Sequence, residues 1–224
     1  TADVTLTVSE SWVNDLKRLG AKNVELITNG YDSTDFDLKP KKTDKFIIGH
    51  YGLLNHLRNP INLWDTLNKL CKENKELNSK LEIHLSGNID TEVITKIKSY
   101  TYLKRKVKEL RYLSHSKVLQ EYNEASVLLL LLFNSETGKG NYPGKIFEYF
   151  AAQKPILAFG PSESNARDLI IRTNSGKYFS YDDANLRDTI LGLFRNETRF
   201  DFKNTEYFSR EKLTQVLSGL LNKL

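Results

Sequence analysis

The sequence of 224 residues contains no methionine and one cysteine, Cys71. A lone cysteine excludes an internal disulfide framework and a zinc site built from cysteines. A natural reading frame begins with methionine, and we therefore expect this chain to be a piece of a longer protein. The longest apolar run covers residues 127–133 and is far too short to span a bilayer. Because no secretory signal pattern opens the chain, the predicted location is the cytoplasm.

Charge is nearly balanced along the whole chain but uneven locally. There are 33 Lys and Arg against 28 Asp and Glu, a net charge of +5, and this mild excess does not indicate a nucleic-acid partner. Between residues 96 and 117, one acid, Glu109, stands among these cations: Lys96, Lys98, Lys104, Arg105, Lys106, Lys108, Arg111 and Lys117. The run is either a solvated connection or a patch for anionic lipid headgroups or a polyphosphate. The second alternative predicts peripheral contact with the inner face of a membrane.

Strand-like and helix-like segments alternate from Phe46 onward. This order predicts an α/β fold, a Rossmann-like parallel sheet with helices on both faces. The apolar run from Val127 to Phe133 is typical of a strand buried on both faces. Another strand is predicted over residues 107–113, and the last helix over residues 209–224.

A polar stretch over residues 32–45 is the best linker candidate in the chain. It contains Pro40 and a Lys-Lys pair, and it divides the chain into residues 1–38 and residues 39–224. In a parallel sheet of the predicted kind, ligands bind at the carboxyl ends of the strands. The functional site of the larger part is therefore expected where its loops follow the strands.

The loop between the buried strand and the next helix is rich in glycine, but it matches neither common phosphate-binding motif. A P-loop needs glycine at position 139 and Ser or Thr at position 146, and these positions hold Lys139 and Ile146. The dinucleotide pattern fails because Pro143 stands where its third glycine belongs. A glycine-bearing loop that enters a helix, as at Gly144, still presents backbone N–H groups to an anion.

Three charged side chains are the strongest ligand-binding candidates. Lys145 and Glu148 are three residues apart and share one face of the predicted helix. They form either a surface ion pair or a binding pair, in which the carboxylate accepts the hydroxyl groups of a ribose and the ammonium group holds a phosphate. Arg58, just before the helix that begins near Pro60, is either an ordinary exposed arginine or a further phosphate ligand.

Metal-binding and nucleophile patterns are weak. The four histidines show no metal-ligand spacing, although His50 and His56 flank the first loop and either could line a pocket. Asp35-Phe36-Asp37 has the form D-x-D, but it lies in the linker and not at a strand end. Cys71 is expected on the apolar face of a helix as a small core residue. The sequence therefore predicts neither a metal nor a cofactor.

Five stretches in this order resemble the carboxyl-terminal half of a family 4 ("group 1") glycosyltransferase of the two-domain GT-B fold. The stretch from Pro143 to Leu157 resembles the strongest signature of that family. The resemblance covers nearly the whole chain. The other stretches are residues 2–10 followed by 24–32, residues 47–53, residues 122–130 and residues 208–214.

This resemblance implies that the chain binds a nucleotide-diphosphate sugar of the UDP or GDP type, without a metal. Glu148 would hold the ribose, and Lys145 and Arg58 would face the diphosphate and stabilise the leaving group. Gly52 would let the backbone approach the phosphates, and residues near Tyr112 would touch the base. Acceptors would mostly bind an amino-terminal domain, of which residues 1–38 are the end and the crossing. The implied reaction is a sugar transfer, with retention, in polysaccharide or glycoconjugate synthesis.

The sequence departs from the family pattern at two positions. Leu53 stands in the first donor loop, where many members have arginine, and Gly140 stands where many have a second glutamate. Glu136 could substitute for that glutamate and is the third catalytic candidate. Gly144 remains a donor-binding candidate with Leu53.

Two other functions stay open at this point. One is a sugar-nucleotide epimerase of the same fold, which needs carboxylate bases facing the sugar. The other is a non-catalytic GT-B-like subunit that binds a partner protein, with the Lys145 and Glu148 face covered or salt-bridged. Under the favoured interpretation, the chain alone binds donor but transfers no sugar, because the acceptor domain is missing.

Overall fold

The computed structural model describes residues 2–36 and 43–224. Its larger part is built on six parallel strands: β3 Phe46–Tyr51, β4 Leu81–Ser86, β5 Val107–Glu109, β6 Val127–Leu131, β7 Ile156–Phe159 and β8 Gly176–Phe179. They pair in the order β5-β4-β3-β6-β7-β8. Helices cover the sheet, and the predicted α/β class with a Rossmann-like sheet is confirmed.

The strand order reverses next to β3. The chain first builds outward from β3 through β4 to β5, and then returns to the other side of β3 with β6, β7 and β8. In open parallel sheets of this kind, the crevice for ligands lies at the carboxyl ends of the strands where the order reverses. The loops after Tyr51 and Leu131 are therefore the place where a site is expected.

The helices alternate with these strands along the chain. They are α2 Ile61–Glu73, α3 Lys75–Lys80, α4 Thr91–Ser99, α5 His115–Glu124, α6 Glu136–Lys139, α7 Lys145–Ala152, α8 Asn165–Thr173, α9 Arg187–Phe194 and α10 Arg210–Leu221. The short helices α3 and α6 were not predicted from the sequence. Across the described ranges, no helix has both the length and the apolar character needed to cross a membrane.

The hydrophobic core has two layers, one on each face of the sheet. Strand β6 shows how the sequence produces them, because its apolar residues alternate between the layers. Leu129 and Leu131 pack with Trp64 of α2 on one face, whereas Leu128 and Leu130 belong to the cluster on the other face. All five residues of β6 are buried, as the continuous apolar run predicts.

Strand β5 is shorter than the segment predicted over residues 107–113, and that prediction is wrong beyond Glu109. The chain turns at Arg111, whose φ of 54° lies in the left-handed region. The carbonyl oxygen of Arg111 accepts hydrogen bonds from the Ser86 hydroxyl at 2.6 Å and from the Gly87 N–H at 3.3 Å. These bonds tie the turn to the end of β4 and prevent the extended conformation that the sequence pattern favours.

The residues before the larger sheet form a small parallel pair, β1 Thr5–Thr7 and β2 Val24–Leu26, joined by α1 Glu10–Arg18. The Tyr142 hydroxyl donates to Glu10 at 2.6 Å. The Tyr31 N–H donates to the carbonyl of Phe208 at 3.1 Å. The predicted boundary between residues 38 and 39 lies outside the described residues. Pro40 and the Lys-Lys pair of the predicted linker lie outside them as well.

Candidate functional site

Two glycine loops pack against each other at the carboxyl ends of β3 and β4. Gly52 has a φ of +146°, and Gly87 has a φ of +112°. A Cβ on Gly87 would lie 2.5 Å from the carbonyl oxygen of Gly52, so a side chain at position 87 would collide with the first loop. Both loops therefore depend on glycine for their conformation and for their close approach.

Helix α7 presents Lys145 to the first of these loops. The apolar residues of α7 hold the helix in the core: Ile146, Phe147, Tyr149 and Phe150. The Lys145 Nζ atom donates to the carbonyl of Tyr51 at 3.1 Å. Burial lowers the pKa of Lys145 to about 8, with repulsion by Arg58 acting in the same direction and Glu148 partly opposing it. An ammonium group held here would gain from a nearby anion.

Arg58 approaches from the other side, at the end of the short 3₁₀ turn His56–Arg58. Its guanidinium carbon lies 3.5 Å above the centre of the Phe133 ring, and its Nε atom is buried without a hydrogen-bond partner. Burial lowers the pKa of Arg58 as well. Among the described residues, neither Arg58 nor Lys145 is paired with a carboxylate. Two neighbouring cations without a carboxylate partner are chemically suited to binding an anion.

Glu148, the predicted ribose ligand, lies one helical turn from Lys145, and its side chain is 27% exposed. One carboxylate oxygen is 3.2 Å from Nε2 of His115, and the other accepts a hydrogen bond from the Tyr122 hydroxyl at 3.0 Å. The buried Tyr122 ring is fixed by edge-on contacts with Tyr51 and Tyr149. Glu148 and Lys145 therefore do not form the surface ion pair that was the alternative for this motif.

A cavity of about 270 Å³ lies next to Glu148 and is bounded by both glycine loops. Tyr112, predicted near the base, stands at its rim and is 90% exposed. The cavity is lined by Tyr51, Gly52, Ser86, Gly87, Tyr112, Leu113, His115 and Val118. A flat aromatic side chain beside a shallow cavity offers a stacking surface for a planar ring.

Other predicted residues occupy separate places. Leu53 is half-buried, and its carbonyl lies 3.1 Å from Nε2 of His50. Gly144 is exposed at the start of α7, with no atom within 4 Å of where a Cβ would stand. Glu136 on α6 is 85% exposed and forms an ion pair of 2.9 Å with Lys139. Its predicted catalytic role remains a prediction.

Gly140, where the resemblance leads one to expect a second glutamate, has little room for a side chain. A Cβ there would lie 2.9 Å from Nε1 of Trp12 on α1. The indole therefore fills the space that a glutamate would need.

The remaining candidates from the sequence are structural or lie partly outside the described residues. His50 is fully buried, and burial and then Lys145 lower its pKa to about 3, so it is a neutral core residue and not a pocket wall. Cys71 is buried as predicted. Asp35 lies in a short 3₁₀ turn, whereas Asp37 lies outside the described residues. Within the described ranges, no group of His, Cys, Asp and Glu is arranged to hold a metal ion.

His115, Tyr122 and Gly87 adjoin the candidate site, and the sequence analysis did not single them out. His115 and Tyr122 are 33 and 26 residues from Glu148 in the chain, and no short motif connects them. One signal was available for His115, because it begins the helix that follows a strand at the ligand-binding edge of the sheet.

No family model and no curated protein matches this sequence. The structure, however, matches solved structures along its whole length. Lipopolysaccharide outer core galactosyltransferase WaaB is 16% identical with a TM-score of 0.69, and the match covers 100% of this chain and 63% of that one. The fold is that of the carboxyl-terminal half of a GT-B glycosyltransferase.

Two further matches support the same conclusion. Sucrose-phosphate synthase from Thermosynechococcus elongatus is 17% identical with a TM-score of 0.74, over 100% of this chain and 58% of that one. Anabaena HepE, solved in complex with UDP-glucose, is 14% identical with a TM-score of 0.75, over 100% of this chain and 64% of that one. The chain thus spans about three fifths of the length of these structures, and at such identities the likeness concerns the fold.

Proposed function

We propose that this chain is the donor-binding half of a glycosyltransferase and that it holds a nucleotide-diphosphate sugar, of the UDP or GDP type, at the carboxyl ends of β3 and β4. The observation that carries the proposal is the pair of cations at Lys145 and Arg58. Their positive charges repel each other, and neither has a carboxylate partner in the described part of the chain. A diphosphate beside them would neutralise both charges and offer an acceptor to the orphaned Nε atom of Arg58.

Neighbouring groups would contact the ribose, the phosphates and the base of the nucleotide. Glu148 would accept the two ribose hydroxyl groups, and Gly52 would let the backbone approach the phosphates. The cavity beside Tyr112 would take the base. This arrangement is supported by the proximity of the three parts: Lys145 touches the first glycine loop, and Glu148 contacts His115 at the cavity wall. HepE, whose fold the chain shares, was solved with UDP-glucose.

The proposed reaction moves the sugar from the diphosphate to an acceptor hydroxyl group. The bond between the anomeric carbon and the diphosphate oxygen breaks, the acceptor oxygen bonds to that carbon, and the acceptor proton is released. Lys145 and Arg58 would stabilise the charge that develops on the leaving diphosphate, a role that needs no metal. Retention of configuration and a place in polysaccharide or glycoconjugate synthesis are part of the same proposal, with Glu136 as the candidate group on the sugar side.

The acceptor would be held by an amino-terminal GT-B domain, and without such a domain we expect donor binding but no transfer. The proposed setting is the cytoplasm, with no nucleic-acid partner. Any contact with the inner face of a membrane would depend on cations outside this site.

The two rival functions fit the site less well. A partner-binding subunit was expected to have Lys145 and Glu148 covered or salt-bridged. Glu148 does contact His115 at 3.2 Å, but Lys145 and Glu148 form no ion pair with each other, and the cavity between the glycine loops and His115 stays open. An epimerase needs carboxylate bases facing the sugar, and the candidate Glu136 is instead exposed and paired with Lys139.

Isothermal titration calorimetry with UDP, GDP and ADP tests the proposal. We expect Glu148→Ala to remove most of the nucleotide affinity, since a charged hydrogen bond contributes about 1.5–3 kcal/mol. Lys145→Ala should weaken binding of the nucleoside diphosphate more than binding of the free nucleoside, because the ammonium group would contact only the phosphates. Glu211→Gln and Lys177→Ala, both at exposed positions, are the matched controls. Unchanged affinity in the Glu148 and Lys145 variants would place the site elsewhere.

A further inference from the structure

The basic run between Lys96 and Lys117 separates into paired and unpaired cations in the structure. Lys98 forms an ion pair with Glu109, and Lys108 forms one of 2.6 Å with Glu82. Lys104 and Arg105, by contrast, are exposed and contact no carboxylate within the described ranges. Lys104 and Arg105 are thus two adjacent unpaired cations within the run, directly before β5.

Lys104, Arg105 and Lys106 line a concave surface directly before β5, which we call the basic cleft. Its volume is about 440 Å³, and it is completed by Asn78, Thr101 and Tyr102. Among the residues that the structure describes, no acidic side chain lines it. The Lys106 ammonium group is drawn into the wall by a hydrogen bond to the carbonyl of Asn78. Three successive cations are thus gathered around one opening.

The turn that carries these cations is firmly anchored. Leu103, in its middle, is completely buried in the core. The Tyr102 N–H donates to the Asn68 side chain at 3.0 Å, and the Lys104 N–H donates to the carbonyl of Tyr100 at 3.1 Å. An anchored turn loses little conformational freedom when a ligand binds, which favours binding.

Three acids on the elements next to the basic cleft pair with cations outside it. Glu76 pairs with Lys80 at 2.7 Å, and Glu82 and Glu109 pair with Lys108 and Lys98. Among the described residues, these three acids therefore form no ion pair with the cations of the cleft.

The basic cleft is separate from the proposed donor site. Asn78 precedes the first residue of β4, and Lys106 precedes the first residue of β5, so the cleft lies at the amino ends of these strands. The donor loops lie at the carboxyl ends. Strand β4 has six residues, which at roughly 3.3 Å per residue separates the two edges by about 20 Å. One nucleotide sugar bound at the donor loops does not reach the cleft.

We propose that the basic cleft is a second anion site, which binds a phosphate group carried by a molecule other than the sugar donor. Phosphate suits the cleft because a guanidinium group can hold two of its oxygens while ammonium groups add point charges. Such a group can come from the headgroup of an anionic lipid or from a free polyphosphorylated molecule. A lipid source would place this edge of the sheet on a membrane surface.

The test compares two variants of the full chain that carry the same charge change. The first variant, Lys104→Glu with Arg105→Glu, reverses two positive charges of the cleft. The second, Lys22→Glu with Lys177→Glu, reverses two positive charges at exposed positions elsewhere. Circular dichroism and thermal unfolding check that both fold. One arm measures sedimentation with phosphatidylcholine vesicles that contain or lack phosphatidic acid. The other arm titrates the protein with inositol hexakisphosphate by calorimetry. In this arm the parent and both variants also carry Lys145→Ala, which weakens phosphate binding at the proposed donor site.

We expect the cleft variant to bind at least about tenfold more weakly than the parent, and the control variant to bind within about twofold of it. Binding confined to phosphatidic acid vesicles supports the lipid source, and binding confined to inositol hexakisphosphate supports the free one. Equal losses in the two variants would show a diffuse charge effect and overturn the site. Absence of binding by the parent to both probes at low salt would overturn it as well. These outcomes do not depend on whether UDP binds at the donor loops.

Discussion

The Lys145 Nζ atom lies 2.8 Å from the position that a Cβ on residue 52 would occupy. The Lys145 side chain thus occupies space that a side chain at position 52 would need, although the two residues are 93 positions apart in the sequence. The lysine can donate to the carbonyl of Tyr51 only because the next residue has no side chain. The proposed phosphate contact and the glycine loop therefore form one unit.

Gly52→Ala should lower the affinity for UDP or GDP by at least about tenfold. The φ of +146° at this position disfavours alanine, and strain of this kind costs about 1–3 kcal/mol. The added methyl group must also displace the ammonium group of Lys145. Calorimetry and thermal unfolding measure the two effects, and Gly219→Ala, where the space is open, is the control. Full affinity in Gly52→Ala would contradict the coupling between loop and lysine.

The affinity for UDP-glucose should fall as the pH rises through about 8. Burial, followed by repulsion from Arg58, lowers the pKa of Lys145 to about 8 in the free protein. A bound diphosphate favours the charged form and raises that pKa, so the affinity is complete below pH 8 and decreases above it by up to about tenfold per pH unit. Calorimetry across this range measures the effect. Lys145→Arg, which stays charged, should abolish the pH dependence, and an unchanged profile in that variant would refute the role of Lys145.

Much of the fold could be predicted from the sequence because buried elements have characteristic patterns of apolar residues. The apolar run of β6 predicts burial on both faces, and Leu128 and Leu129 indeed belong to opposite core layers. The short helix α6 has no apolar pattern of this kind, since its four residues are Glu, Thr, Gly and Lys. A Cβ on Gly138 would lie 2.2 Å from the carbonyl oxygen of Phe133, so a close contact within the loop requires glycine in this segment.

The candidate site could be proposed from the sequence where its residues lie in one motif, and not where it depends on contacts between distant segments. Lys145 and Glu148 share a helix face because they are three residues apart. The ring of Phe133 beneath Arg58 and the hydroxyl of Tyr122 on Glu148 arise only when separate elements meet. Arg111 adopts a left-handed φ that its residue type disfavours, and for this reason the end of β5 was predicted incorrectly.

His115→Ala should increase the affinity for nucleosides and nucleotides by roughly two- to tenfold. In the structure His115 lies 3.2 Å from one Glu148 oxygen, the oxygen that a ribose hydroxyl would need. The imidazole therefore competes with the ribose. A hydrogen bond to a charged group contributes about 1.5–3 kcal/mol, and because the His115 side chain is 60% exposed, solvent reduces this to about 0.4–1.4 kcal/mol. Calorimetry with uridine and UDP measures the change, with His56→Ala as an exposed control. Weaker binding by His115→Ala would instead make His115 a ligand contact.

A group of ionisable side chains, mostly shielded from solvent, lies on β4 and α5. His84 on β4 is 7% exposed at its side chain. Its Nδ1 atom is 2.8 Å from Glu121, and its Nε2 atom is 3.0 Å from Glu82. Burial alone would lower the pKa of His84, but the hydrogen bonds to Glu121 and Glu82 outweigh it and raise the pKa above its ordinary value of 6.5. The pKa of Glu82 is lowered from 4.5, since Lys108 and His84 outweigh its burial.

His84→Asn should therefore destabilise the protein most between about pH 4.5 and 6.5, by about 1–3 kcal/mol. A raised histidine pKa gives stability that is present below 6.5 and lost as the pH rises through the folded-state value. A lowered glutamate pKa gives stability that is present above 4.5 and lost as the pH falls. Urea unfolding at several pH values measures the difference between parent and variant, with His56→Asn as the control. A difference that stays constant from pH 5 to pH 9 would mean that His84 contributes packing and not a charge between two carboxylates.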